Sequence, residues 1–113
     1  MNVRIKIDKI LRDGYPISDD DADGVAISRA TALRLIEALD GSKLAIRGIE
    51  VWRLESLGPM PTDENWACQR LTLEAAPDYA SRSRHAALVF LKNRKEEEMD
   101  IFTVDIDEQQ EAA

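Results

Sequence analysis

The chain has 113 residues and a formal net charge of −7, with 33% charged and 44% hydrophobic residues. That length gives one domain, whose folding buries roughly 65% of the unfolded surface, so a modest core suffices without covalent staples. The acidity disfavours nucleic acid and anionic membranes, both of which need lysine and arginine, and favours a basic partner; many proteins are also acidic for solubility alone. No apolar run approaches the ~20 residues that span a bilayer. The first residues, MNVRIKIDKILRD, carry charges throughout and lack the apolar stretch of a secretory signal. One cysteine cannot form an internal disulfide, which suits a reducing, cytoplasmic setting.

In chain order, Val3, Ile7, Ile10 and Leu11 have helical spacing, while Val3, Ile5 and Ile7 alternate as in a strand. We expect a short helix over 5–12, closed by Gly14 at a C-cap position. Residues 15–24, YPISDDDADG, form a polar loop. Asp19, Asp21, Asp23 and Gly24 match the first half of a calcium-binding EF-hand loop, but Ala30 stands where the bidentate glutamate belongs. The sequence therefore predicts no resident metal and no cofactor, and reads the loop as a solvated acidic segment. Ser28 is a good N-cap for a helix over 29–40, with an apolar stripe through Leu33, Ile36 and Leu39 and with Gly41 beyond its end.

Residues 44–54 read as a strand rich in β-branched and aromatic side chains. Its alternation slips: Leu44 and Ile46 share one face, Ile49 and Val51 the other, with Gly48 between. A bulge at Gly48, a close approach of another backbone, or burial on both faces each account for this. Gly58 to Asp63 holds two prolines and is expected as a loop. A second extended run over 65–73 then pairs antiparallel with the first, since so short a connection excludes a parallel crossover. Core packing is the expectation for both tryptophans, most of all for Trp52; Trp66, nearer the loop, is also the candidate binding anchor.

A third helix is expected over 75–95, with Pro77 in its first turn and Tyr79, Ser83, Ala86, Ala87, Phe90 and Leu91 on one face. Glu96 to Glu98 form a turn, and a last strand over 100–106 points Phe102, Val104 and Ile106 one way. Residues 109–113 are expected as a disordered tail, leaving 1–108 as the domain. The predicted class is α+β: an antiparallel sheet of about three strands packed with two to three helices. His85, the lone histidine, lies in a predicted helix, and Cys68 is expected as a buried structural thiol. No metal set, nucleophile elbow or phosphate loop is present, so no catalytic residues are assigned and an enzyme is not expected.

Two segments stand in a characteristic order, Gly48, Glu50, Val51 and Trp52 in the first strand and then Glu64, Asn65, Trp66 and Cys68. That order is similar to the Immunity protein 40 family of bacterial polymorphic toxin systems. Gly48, Glu50, Val51 and Trp52 resemble that family's Gly-Gly-acid-Val-aromatic strand, and Glu64, Asn65, Trp66 and Cys68 its Asp-Asn-Trp-Tyr-Cys segment. Ile49 replaces the second glycine, and Ala67 an aromatic. The resemblance covers residues 5–106. It implies a cytoplasmic antidote that binds a cognate toxin, and the charge suggests a basic toxin domain such as a nuclease. Asp19, Asp20, Asp21, Asp23, Asp63, Glu64 and Trp66 are the candidate contacts, as acid and one aromatic on expected loops. The alternative is a small regulatory or calcium-responsive module built on 19–24; an enzyme of unknown type comes third.

Overall fold

The computed structural model describes residues 3–17, 24–95 and 99–109. The α+β class holds: three helices and two antiparallel sheets form a single domain. Helix α1 spans Val3–Leu11, and the two-residue strands β1 (Tyr15–Pro16) and β2 (Val25–Ala26) pair as a small hairpin. Helix α2 spans Arg29–Ala38, strands β3 (Ala45–Glu55) and β4 (Gly58–Ala67) follow, then helix α3 (Ala76–Asn93) and strand β5 (Asp100–Asp107). The larger sheet runs β4-β3-β5 with both pairings antiparallel, as expected. Ile27 exchanges two backbone hydrogen bonds with Phe102, which fastens the small hairpin to the outer edge of β5.

All three helices cover one face of this sheet. The core joins Ile7 of α1, Leu35 and Ile36 of α2, Ala87 and Leu91 of α3, and the inward side chains of β3 and β5. Phe102, Val104 and Ile106 point into it, as their alternation predicts. Ser28 caps α2, its hydroxyl accepting from Thr31 N–H, and Gly41 beyond the end has φ +79°. Helices α2 and α3 also close each other's ends. Arg29 of α2 donates to the carbonyls of Leu91 and Lys92, and Arg84 of α3 donates to those of Leu39 and Ser42. Arg29 thus meets carbonyls of the last turn of α3, and Arg84 meets the C-cap carbonyl of α2 and one in the turn beyond it, where a cation complements the negative helix end.

Four local expectations need correction. Gly14 is not a left-handed cap. It is glycine because a Cβ there would lie 2.2 Å from Val25 Cγ1 and 2.9 Å from Ala26 O. The proline-containing stretch 58–63 is not a loop: Pro59 and Pro61 pair opposite Leu54 and Trp52. β4 is an edge strand, where a missing N–H is tolerated and discourages further pairing. The second extended run stops at Ala67, and residues 68–75 form an ordered irregular segment. Gln109, placed in the tail, is docked: its amide donates to the carbonyls of Lys43 and Ala76. Glu96 to Glu98, residues 18–23 and residues 110–113 lie outside the described residues.

The slipped alternation in β3 is a bulge. Ile46 pairs with Ile106 and Gly48 with Asp105, so Arg47 is one residue extra and Ile46, Ile49 and Val51 all face the helices. The interrupted ladder there is completed from the helix layer. Ile46 N–H donates to the fully buried Ser83 hydroxyl at 2.9 Å, and that hydroxyl donates to Ala80 O. Ala76, Ala80 and Ala87 flank Ser83 on the buried side of α3, small enough to let the helix approach the sheet. Replacing Ser83→Ala leaves a buried N–H without a partner, which costs about 1–3 kcal/mol. Chemical denaturation is expected to show that loss, with Ser81→Ala, exposed on the same helix, within about 0.5 kcal/mol of wild type.

Candidate functional site

The face of the sheet away from the helices carries no layer among the described residues. Its residues come from the two motif segments, which the register sets side by side: Gly48 opposite Ala67, Ile49 opposite Trp66, Glu50 opposite Asn65. A Cβ on Gly48 would stand 3.0 Å from Trp66 O, tight enough that β4 would have to shift by a few tenths of an ångström. Two of the readings of Gly48, bulge and close approach, are therefore both correct. Burial on both faces is not, since Arg47 and Glu50 are exposed.

On this face lies an open groove of about 530 Å³. Glu50, Trp52, Asn65 and Thr103 line its middle. Trp52 is half-buried and its indole N–H donates to Thr103 Oγ1 at 3.2 Å, fixing the ring across β3 and β5. Arg47, displaced by the bulge, donates twice to the Asp105 carboxylate at 2.9 and 3.0 Å, and that hydrogen bond raises the arginine's pKa further. Ile17 and Gly24 form one rim, joined by Ile17 N–H to Gly24 O at 2.7 Å. They are the two ends of the acidic loop, so Asp19, Asp20, Asp21 and Asp23 belong to a segment that starts and finishes at this rim. Those four aspartates themselves lie outside the described residues, as does the half calcium motif.

The three remaining candidates are placed on β4. After Asn65 that strand takes extra residues before Pro61 pairs with Trp52. Thr62 closes the gap, its hydroxyl donating to Val51 O and accepting from Glu64 N–H. Asp63 is exposed on the irregularity. Glu64 turns to Arg94, which also holds Asp100, 5% exposed, and lies over the Phe102 ring. Arg94 keeps the Glu64 carboxyl below its ordinary pKa, so this acid closes the end of α3 onto the sheet. Trp66 faces the helices, stacked on Phe90 with ring centroids 6.1 Å apart. Trp66 packs on the core, as expected of both tryptophans, whereas Trp52 lies half-buried on the open face. The bulge at Arg47 and the extra residues near Thr62 set those faces, and neither is a periodic signal. Cys68 is buried, as expected, and His85 is exposed on α3.

Residues 68–75 continue the motif strand into a rigid segment. Cys68 N–H donates to Arg47 O, Tyr79 OH donates to Cys68 O at 2.6 Å, and Arg82 reaches Gln69 O and Cys68 Sγ. Glu74 is the centre: its carboxylate accepts from Arg82 and from Leu71 N–H, and Arg70 donates to its carbonyl. Glu74 N–H closes a turn on Leu71 O. Within that turn Leu73 has φ +70°, a left-handed conformation that costs a side chain roughly 1–2 kcal/mol, and its side chain is 99% exposed. Sequence periodicity has no signal for such a residue.

Hydrogen bonding from Arg82 and Leu71 N–H lowers the Glu74 pKa to about 2. A carboxyl bound more tightly as the anion adds stability above its unfolded pKa, near ~4.3, and that stability is lost as pH falls through the folded value. The Glu74 carboxyl is expected to titrate near that low value by NMR. The fall in melting temperature between about pH 4.5 and pH 2 is expected to be shallower in Glu74→Gln.

No group of histidine, cysteine and carboxylate side chains able to hold a metal occurs among the described residues. No described helix is long and apolar enough to cross a membrane. No curated protein and no solved structure matches the chain. The family model for Immunity protein 40 matches residues 16–106, which takes in the acidic loop, both motif strands, the ordered segment and all of β5 but its last residue. The chain belongs to the Immunity protein 40 family.

Proposed function

We propose that this protein is an immunity protein that binds a cognate bacterial toxin domain and neutralises it stoichiometrically, without a reaction of its own. Membership of the Immunity protein 40 family is the observation that carries this reading. The contact surface is the helix-free face of the sheet, where Glu50 and Asn65 of the two motifs stand opposite each other beside Trp52. The partner is basic. The chain carries a net charge of −7, and four aspartates lie in the loop whose ends form the groove rim. Complementary charge of this kind raises the encounter rate and excludes like-charged competitors.

Within this reading the sequence candidates take different parts. Asp19, Asp20, Asp21 and Asp23 steer the partner toward the face. Asp63 adds charge from the edge strand. Glu64 and Trp66 hold the surface from behind, through Arg94 and Phe90. A nuclease suits an acidic inhibitor, since the inhibitor then occupies the site of a polyanionic substrate, and nuclease–immunity pairs reach the tightest protein affinities known. The protein acts in the cytoplasm, where such a toxin meets its target.

The test uses as partner a toxin domain that co-purifies with this chain, sought first in the products of neighbouring genes. The combined variant D19N, D20N, D21N, D23N is expected to slow association about tenfold at low salt and to flatten its salt dependence, with dissociation little changed. Unchanged affinity and salt dependence would remove the loop from the contact. Absence of binding by the wild-type chain would overturn the function.

A further inference from the structure

We propose that the Leu71–Glu74 turn is an apolar anchor that inserts into the toxin partner at the end of the groove. The proposal rests on the immunity reading above and adds the short-range half of recognition to its long-range charge. Leu73 is 99% and Leu71 60% exposed, on neighbouring positions of one turn. The third residue of this turn has the positive φ that ordinarily selects glycine. A leucine there gains nothing from the fold, because its side chain has no buried contact, and it strains the backbone as well.

The turn is nonetheless held firmly. Arg82, Arg70 and Leu71 N–H converge on Glu74, and Glu74 N–H returns to Leu71 O. A rigid, strained, solvent-facing apolar side chain is what a preorganised anchor requires, since little ordering entropy is then lost on binding. The contrast with Leu57 is informative. That residue is 97% exposed at the tip of the β3–β4 hairpin, but it has no positive φ and single exposed leucines are ordinary. Position selects the occupant. Cys68 N–H on Arg47 O ties the segment to the bulge, and Gly48 and Ala67, at that end of the strand pair, line the groove. A partner seated on the groove therefore reaches the two leucines without a second docking surface.

The experiment compares Leu73→Gly, Leu71→Ser and Leu57→Ser with wild type, each in the full chain. It measures melting temperature, sedimentation and affinity for the co-purifying toxin domain. Leu73→Gly is expected to melt no lower than wild type, because glycine relieves the backbone, yet to bind roughly ten- to hundredfold more weakly. Leu71→Ser is expected to weaken binding in the same direction, and Leu57→Ser to leave it unchanged. Equal affinity of Leu73→Gly and wild type would overturn the anchor while leaving the immunity function standing. So would an equal loss in Leu57→Ser, a large drop in melting temperature, or a wild-type dimer that Leu73→Gly dissolves. A wild-type chain that does not bind the domain would overturn both.

Discussion

At Gly48 the backbones of β3 and β4 come so close that a side chain would press on the Trp66 carbonyl. Much of the molecule depends on that approach. One step back along β3, the bulge at Arg47 restores the inward phase, so that Ile46, Ile49 and Val51 enter one core although the sequence alternates out of step. The same displacement sends Arg47 outward to Asp105 and leaves Ile46 N–H to Ser83. One irregularity thus sets the helix layer on one side and the groove on the other.

The helix-free face is built from behind. Trp66 against Phe90, Arg94 between Glu64 and Asp100, and Arg82 on Glu74 are three links from α3 and its end to β4, β5 and the segment after β4. The role of these links is positional: they hold an edge strand and the segment after it against the helix layer. The result is a surface with fixed relief, in which Trp52 is pinned to Thr103 and the leucine turn is braced by an ion pair. Rigid relief suits a protein whose work is to fit against another, because less freedom is lost on association.

The elements with regular periodicity were legible in the sequence. Ser28 and Gly41 bracket α2, and Phe102, Val104 and Ile106 mark the inner face of β5. What was not legible depends on partners distant in the chain. Pro59 and Pro61 read as a loop because nothing local distinguishes a loop from an edge strand. Trp52 was expected in the core because the strand irregularities that turn it to the open face leave no periodic signal. Gly14 resembles a helix cap until Val25 is seen against it. The two motif segments meet on adjacent strands. Within them Glu64 and Trp66 turn inward while Glu50 and Trp52 line the open face, a division set by register and not by residue type. Leu73 escaped notice because only the backbone angle sets it apart.

The central claim is that the sheet face opposite the helices meets the partner. Hydroxyl-radical footprinting of side chains in the free chain and in its complex with the co-purifying toxin domain tests it directly. Trp52 is expected to lose reactivity in the complex, while His85, exposed on the helical side, keeps its own. Protection of His85 with Trp52 unchanged would place the partner on the helices and contradict the account.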